Sequence, residues 1–246
     1  MGKETNLQKI WDEMSSYYQK KYGGSLMFYE KTIHLNLFGN LKSKKLLDIG
    51  CGGGQTSIFF TEQGALVTGV DLSKKQIDFA RVLAKRKGIE KISFHQGNME
   101  DLSVFEDCSF DLVNSSHTIH YVENLQKCFD EIIRVLKPKG KFVFSVSHPL
   151  NHIVETENNQ LVVRRSYFKK GKYEWNWEYP EEGLKYPMYL LIRKVDDYFV
   201  ALRKSGFVVE DLLEPKTDLD KNSPWHNQSE PQEELVPGVL IFGARK

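Results

Sequence analysis

The sequence has few cysteines, no long apolar run and almost no net charge. Its three cysteines, Cys51, Cys108 and Cys128, are far apart in 246 residues, which argues against a disulfide framework and against a cysteine-rich zinc site. No stretch approaches the roughly 18 apolar residues that span a bilayer. A formal net charge of +1 gives no electrostatic reason to expect nucleic acid or an anionic membrane as a partner. We therefore expect a cytoplasmic protein that holds no metal and binds neither membranes nor nucleic acid.

Short apolar runs alternate with amphipathic segments along most of the chain. The predicted strands are 44–49, 66–70, 92–95, 110–114, 141–146, 207–213 and 238–244. The predicted helices are 5–22, a second segment up to about Leu41, 56–63, 73–87, 125–136 and 195–206. Strands that alternate with helices form right-handed crossovers, so this pattern predicts an α/β fold with a mostly parallel sheet.

We interpret residues 1–246 as a single domain with four parts: an N-terminal helical lid, a core, an insertion and a C-terminal helix with a strand pair. Their predicted bounds are 1–41, 42–148, 149–190 and 191–246. The first helix either packs on the core or closes over a ligand. The insertion is polar and aromatic, and its aromatic side chains form either a small core of their own or the lining of an apolar or cationic pocket.

A glycine cluster follows the first predicted strand. Gly50, Gly52 and Gly54 let the backbone approach a ligand without interference from a Cβ atom. The helix that follows offers free backbone N–H groups at the same place. Asp71 ends the next strand, where a carboxylate can accept hydrogen bonds from the hydroxyls of a ribose. The two features predict a nucleotide-containing ligand at the carboxyl ends of the strands.

Three features argue against a dinucleotide-binding dehydrogenase. The glycines are spaced G-x-G-x-G instead of G-x-G-x-x-G. They come some fifty residues into the chain, after two predicted helices, whereas a dinucleotide fold usually opens with them. The chain also closes with two strands and no helix between them.

The sequence resembles the class I S-adenosylmethionine-dependent methyltransferases over nearly its whole length. The matching segments are LLDIGCGGGQTS, VTGVDLSKKQI, FHQGNMEDL, FDLVNSSHTIHYVEN and VLKPKGKFVFSVSHP. The resemblance implies a Rossmann-like, doubly wound, seven-stranded sheet with an antiparallel last strand. It points to the small-molecule subgroup that carries a cap after strand five.

The resemblance also implies which residues bind the cofactor. Those expected near its methionine part are Asp48, Gly50, Cys51, Gly52 and Ser115. Those expected at the ribose and adenine are Asp71, Leu72, Gln76, Gly97, Asn98 and Met99. Many relatives have aspartate at position 98, but the Asn98 carbonyl can still accept a hydrogen bond from the adenine amino group. Tyr18 or Tyr29 is expected to close over the cofactor.

The implied reaction transfers the methyl group of S-adenosylmethionine to an oxygen or nitrogen atom of a small molecule by in-line displacement. His117, His120 and His148 follow strand ends on the ligand side, so each is a candidate general base. The segment Asn114-Ser115-Ser116-His117 lacks the paired prolines found in amino-directed nucleic-acid methyltransferases. An RNA or protein methyltransferase and a non-catalytic cofactor-binding protein remain alternatives, and the sequence specifies neither the acceptor nor the oligomeric state.

Overall fold

The computed structural model describes residues 6–23, 28–158, 160–216 and 235–246, with side chains from residue 33 onward in the second range. The helices are α1 (Asn6–Tyr22), α2 (Phe28–Phe38), α3 (Gln55–Glu62), α4 (Lys74–Arg86), α5 (Leu125–Val135) and α6 (Val195–Lys204). The strands are β1 (Lys45–Ile49), β2 (Leu66–Asp71), β3 (Ile92–Gln96), β4 (Phe110–Ser116), β5 (Leu136–Ser147), β6 (Val154–Glu157), β7 (Gln160–Val163), β8 (Gly171–Tyr179), β9 (Leu184–Ile192), β10 (Val208–Leu213) and β11 (Val239–Arg245).

The central sheet has seven strands in the order β10-β11-β5-β4-β1-β2-β3. Strands β1 to β5 pair in parallel, and β11 runs antiparallel to both β5 and β10. The predicted α/β fold, with a mostly parallel sheet and an antiparallel last strand, is confirmed. The strand order reverses between β1 and β4, and ligands of open α/β sheets bind beside such a switch point.

The central strands are apolar along most of their length because both faces of the sheet are covered. One face packs around Phe129, Phe142 and Phe144, and the Phe142 and Phe144 rings stack with centroids 4.9 Å apart. The other face packs around Phe38 and Phe60. A parallel sheet with both faces covered needs continuous apolar strands, which is the pattern that made these strands predictable.

The connection from α5 to β5 differs from the predicted bounds, which end the helix at 136 and begin the strand at 141. Strand β5 begins at Leu136, directly after the helix, and Pro138 and Gly140 lie within it. Leu136 pairs with Phe110 and the next pair is Leu112 with Lys141, so the intervening residues of β5 form a bulge. Lys139 has a left-handed φ of 65°. A bulge accommodates a proline because no ladder hydrogen bond is required from its nitrogen.

Two β-hairpins occupy the segment between β5 and α6. Strand β6 pairs with β7, and β8 pairs with β9 over nine residue pairs. Along β8, Tyr173, Trp175, Trp177 and Tyr179 alternate with exposed polar residues, so the aromatic side chains share one face. Met188 of β9 packs against Ile10 and Met14 of α1, which joins the second hairpin to the N-terminal helix. Of the helices in the described ranges, none combines the length and apolar content that a bilayer crossing requires.

Candidate active site

The glycine cluster forms a tight turn between β1 and α3. The N–H groups of Gly50 and Cys51 both donate to the Val70 carbonyl, at 2.7 and 3.0 Å, which ties the turn to the end of β2. Gly50, Gly52 and Gly54 all have positive φ, a conformation that glycine adopts without a steric cost. A Cβ atom at position 50 would lie 2.4 Å from the Thr118 side chain. The turn therefore requires glycine both for its backbone shape and for its packing.

Asp71 is fixed beside this turn by backbone donors. Its Oδ2 accepts from the Gly52 N–H at 2.8 Å, and its Oδ1 accepts from the Ser73 N–H at 2.9 Å. Each oxygen has a further lone pair for a ligand. Burial raises the pKa of Asp71 to about 6. Ser73 in turn caps α4 by accepting from the Gln76 N–H, as the sequence predicts.

A buried polar chain runs beneath the glycine turn. Asp48 accepts from the Ser57 hydroxyl at 2.5 Å and from the Asn114 amide at 2.7 Å. The Asn114 carbonyl accepts from Nδ1–H of His34 at 2.6 Å. Burial raises the pKa of Asp48 to about 6. Sequence reasoning missed Ser57, Asn114 and His34, whose only sequence signal is that each is a polar residue in an apolar element.

Helix α1 is hydrogen-bonded across the glycine turn and the start of α4. Gln19 donates from Nε2 to the Gln76 carbonyl oxygen, and its own Oε1 accepts from Gln55, both at 2.6 Å. Asp12 Oδ1 accepts from the Ser73 hydroxyl at 2.6 Å and from the Lys75 N–H at 3.1 Å. These bonds place the helix over the predicted cofactor residues. Their partners are 36 to 63 positions apart in sequence, so no local pattern indicated them.

One cavity of about 460 Å³ joins the glycine turn to the aromatic side chains of α1 and β8. Its lining includes most of the predicted cofactor residues: Asp48, Gly50, Cys51, Gly52, Asp71, Leu72, Gln76, Gly97, Asn98 and Met99. Tyr18, His117 and His120 also line it. The structure thus brings together residues from five separate strand ends and from the N-terminal helix.

Two predicted residues, Ser115 and His148, do not line this cavity. Ser115 is buried and its hydroxyl lies 2.5 Å from that of Thr118, while the adjacent Ser116 lines the cavity. The side chain of Tyr29 is outside the described part of the chain.

His148 uses both ring nitrogens in structural contacts. Its Nδ1 accepts from the Leu150 N–H at 3.1 Å, and its Nε2 lies 2.8 Å from a Glu214 carboxylate oxygen. Since Nδ1 accepts, the ring proton is on Nε2 and is donated to Glu214. A general base needs a free lone pair near the substrate, and this geometry leaves none. The position of His148 after β5 was therefore an insufficient reason to expect catalysis.

His120 and His117 both line the cavity, and their rings lie close together. His120 is buried, and its Nδ1 accepts a long hydrogen bond of 3.4 Å from the Ser147 N–H. Burial, reinforced by His117, holds the pKa of His120 well below its usual value, so the ring is neutral with its proton on Nε2. His117 has a left-handed φ of 52° at the end of β4, and its ring centroid lies 6.1 Å from that of His120.

The residues of the cavity fit a ligand with a ribose and polar ends. The Gln76 amide nitrogen is buried and has no hydrogen-bond partner within the described part of the chain, so it offers a donor into the cavity. A Cβ atom at Gly52 would meet nothing closer than the Gln76 oxygen at 4.0 Å, which leaves room for a ligand against the backbone. Asn98 Oδ1 accepts from the Glu100 N–H at 2.9 Å, and its second lone pair is available to an amino group.

Comparisons with known proteins identify methyltransferases as relatives of this chain. Residues 47–144 match the family described as "Methyltransferase domain". The chain is 31% identical over 195 residues to the uncharacterized methyltransferase YbaJ of Bacillus subtilis, which covers 76% of this chain and 74% of that protein. It superposes with a TM-score of 0.70 on an S-adenosylmethionine-dependent methyltransferase from Mesorhizobium loti, at 26% identity and covering 91% of this chain and 99% of that one.

A shorter match is 38% identical over 109 residues to a ubiquinone biosynthesis O-methyltransferase of Idiomarina loihiensis, and it covers 44% of this chain and 43% of that protein. The fold and the site define a class I, Rossmann-like methyltransferase. The chain belongs to the S-adenosylmethionine-dependent methyltransferases, and S-adenosylmethionine is its cofactor.

Proposed function

We propose that this enzyme transfers a methyl group from S-adenosylmethionine to an oxygen or nitrogen atom of a small molecule. The observation that carries the proposal is the single cavity that runs from Asp71 and Gly52 to the aromatic residues of α1 and β8. A volume of about 460 Å³ lies in the range of small-molecule sites, which is roughly 300 to 1,000 Å³. A nucleic-acid or protein substrate would present its target through a more extended surface.

Bound S-adenosylmethionine supplies a methyl group on a positively charged sulfur. The residues of this chain bind and orient the two reactants. Asp71 would accept from the ribose hydroxyls, Gln76 would donate from its amide, and Asn98 would accept from the adenine amino group. Helix α1 and the β8–β9 hairpin line the cavity, so they would limit the access of water to the reacting groups. Orientation of this kind can lower a barrier by roughly 7–11 kcal/mol.

Of the three candidate histidines, we place the proton-accepting role on His117. It lines the cavity, whereas His148 is committed to Leu150 and Glu214. His120 also lines the cavity, but its Nδ1 accepts from Ser147 and its Nε2 carries the ring proton, so it has no nitrogen ready to accept a proton.

The match to the ubiquinone biosynthesis O-methyltransferase of Idiomarina loihiensis supports a small-molecule acceptor, although the match covers only 44% of this chain. Most of the wall that would contact the acceptor comes from α1 and β8–β9, which lie outside the matched methyltransferase-domain segment at 47–144. The acceptor is therefore best argued from the cavity itself.

The first test is a thermal melt with S-adenosylmethionine, with its demethylated product S-adenosylhomocysteine and with a nicotinamide nucleotide. A ligand at 100 times its Kd stabilises by about 2.7 kcal/mol, which raises the Tm of a chain this long by roughly 5–10 °C. We expect that shift with the two sulfur compounds only, and its loss in Asp71→Ala. A library of small acceptors, monitored by release of S-adenosylhomocysteine, then tests transfer. Tight cofactor binding without turnover on small molecules would favour a non-catalytic or macromolecule-directed protein.

A further inference from the structure

The part of the cavity beyond the glycine turn is walled by aromatic rings. We call Trp11, Tyr18, Tyr121, Trp175 and Trp177 the aromatic wall; all of them line the cavity. They come from α1, from the short helical turn Ile119–Tyr121 and from β8. Three elements distant in sequence therefore contribute aromatic side chains to one space.

The rings of the aromatic wall meet at steep angles. Trp11 and Tyr18 have centroids 5.4 Å apart and planes at 81°, and Trp11 and Tyr121 have centroids 6.2 Å apart and planes at 85°. Tyr18 and Trp177 meet at 74° with centroids 5.5 Å apart. Because each of these rings also lines the cavity, the cavity is bounded by aromatic surfaces in several orientations instead of one flat stacking surface. Enclosure by several ring faces is the arrangement that recognises organic cations.

The charged residues of the cavity are acidic. Asp48, Asp71, Glu100 and Glu123 line it, and among the residues that the structure describes no lysine or arginine does. Two nearby cations are directed elsewhere. The Arg193 guanidinium donates to the backbone carbonyls of His120 and Val122, and Lys172 stacks on the Tyr189 ring, 3.8 Å from its centroid. Among the described residues of the lining, an anionic acceptor would find no lysine or arginine as a counter-charge.

The four carboxylates are not equally available to an acceptor. Asp48 and Asp71 are engaged at the glycine turn, and Glu100 accepts from the N–H groups of Glu123 and Asn124 at 2.8 and 3.1 Å. Glu123 is exposed and lies two residues after Tyr121 of the aromatic wall. Because it also lines the cavity, we place it at the rim, where it would attract a cation as it enters.

We propose that the methyl acceptor is an organic amine, bound in its cationic form by the aromatic wall with Glu123 at the rim. This rests on the proposed function and names its substrate class. Before transfer the ammonium gives up its proton to His117, and the electron pair of that N–H bond stays on the nitrogen. That pair then forms the new N–C bond while the pair of the broken S–C bond stays on sulfur. The methylated product is again a cation suited to the same rings.

Binding can be tested apart from turnover with probes that accept no methyl group. The enzyme is saturated with S-adenosylhomocysteine, so that the cofactor site is filled, and tryptophan fluorescence is followed. Trp11, Trp175 and Trp177 line the cavity. The probes are benzyltrimethylammonium, benzyl alcohol and phenylacetate, which share a ring and differ in charge. We expect the cation to bind about tenfold more tightly than the alcohol, with weaker binding at high salt, and no binding of phenylacetate.

Two variants separate the charge from the rings. Glu123→Gln should weaken benzyltrimethylammonium binding several-fold and leave benzyl alcohol unchanged, with Glu90→Gln, an exposed residue on another part of the chain, as the matched control. Trp175→Leu should weaken the cation further, with the exposed Phe168→Leu as control. Equal binding of cation and alcohol, or preference for phenylacetate, overturns the proposal. Failure of S-adenosylhomocysteine to bind would instead overturn the proposed function.

Discussion

At the scale of single residues, Gly52 and Gly88 provide a matched pair. Both have positive φ, at 51° and 69°, and an added Cβ atom meets no atom closer than 4.0 Å at either position. Alanine should therefore cost about 1–2 kcal/mol of unfolding free energy at both sites, because each would be held in a left-handed conformation. Gly52 lines the cavity, so only Gly52→Ala should also weaken S-adenosylhomocysteine binding.

Urea denaturation measures the unfolding free energy of Gly52→Ala and Gly88→Ala, and calorimetric titration measures their affinity for S-adenosylhomocysteine. Equal cofactor affinity in Gly52→Ala and Gly88→Ala would mean that the ligand does not approach the Gly52 backbone.

His148 and His117 allow a second comparison between residues. His148→Ala removes two partly buried hydrogen bonds and leaves the Leu150 N–H without its acceptor, which should cost about 1–3 kcal/mol of stability. The pH profile of kcat should stay unchanged because His148 lies outside the cavity lining. His117→Ala should lower kcat by about 10²–10⁴-fold, with the loss smallest at high pH. The reverse pattern would restore His148 as the base.

At the residue scale the sequence predicted which residues line the cavity better than which residues support it. Gly50, Gly52 and Asp71 line the cavity and were predictable because strand ends and glycines follow a local pattern; their contact with the cofactor stays a prediction. The chain from His34 through Asn114 to Asp48 could not be predicted, since its members are 80 and 66 positions apart. The roles of His120 and His148 depend on which backbone N–H approaches which ring nitrogen, and only folding decides that.

At the scale of elements, α1 is bound to the core through a few polar contacts that a mutation can remove. Asp12→Ala deletes the acceptor for the Ser73 hydroxyl and the Lys75 N–H, a loss comparable to that of a helix cap, about 1 kcal/mol. Amide hydrogens of Asn6–Tyr22 should then exchange roughly fivefold faster. Glu13→Ala, which removes only a surface pair with Lys9, is the control. Unchanged exchange in Asp12→Ala would show that apolar contacts alone hold the helix.

Elements were predictable where periodicity was regular and missed where it was brief or interrupted. Helix α4 shows both its Ser73 cap and its apolar spacing in the sequence. In β8 the alternation of Tyr173, Trp175, Trp177 and Tyr179 was a period-two signal for a strand, but the sequence interpretation gave weight only to the aromatic composition. The contact of β9 with α1 through Met188 has no local signal at all. The residues of the bulge in β5 fell between the predicted helix and the predicted strand, because proline and glycine usually interrupt regular structure.

At the scale of the whole molecule, folding and cofactor binding have opposite requirements at Asp71. Burial raises its pKa to about 6, above the unfolded value of about 3.9. Folding therefore favours the protonated carboxyl: the stabilisation that this group contributes is complete below pH 4 and is lost as the pH rises through 6. A cofactor that donates its ribose hydroxyls to the carboxylate instead favours the ionised form.

The stabilisation by S-adenosylhomocysteine should consequently depend on pH. Affinity should be constant above about pH 7 and fall about tenfold per pH unit below pH 6, so the Tm increment at a fixed ligand concentration should be larger at pH 8 than at pH 5. Asp71→Asn should bind weakly at both pH values and flatten this dependence. Asp78→Asn, at a carboxylate paired with Lys74 on the surface, should leave it intact. Burial also raises the pKa of Asp48 to about 6. If the affinity still depends on pH in Asp71→Asn, the dependence is assigned to Asp48 and the polar chain beneath the glycine turn.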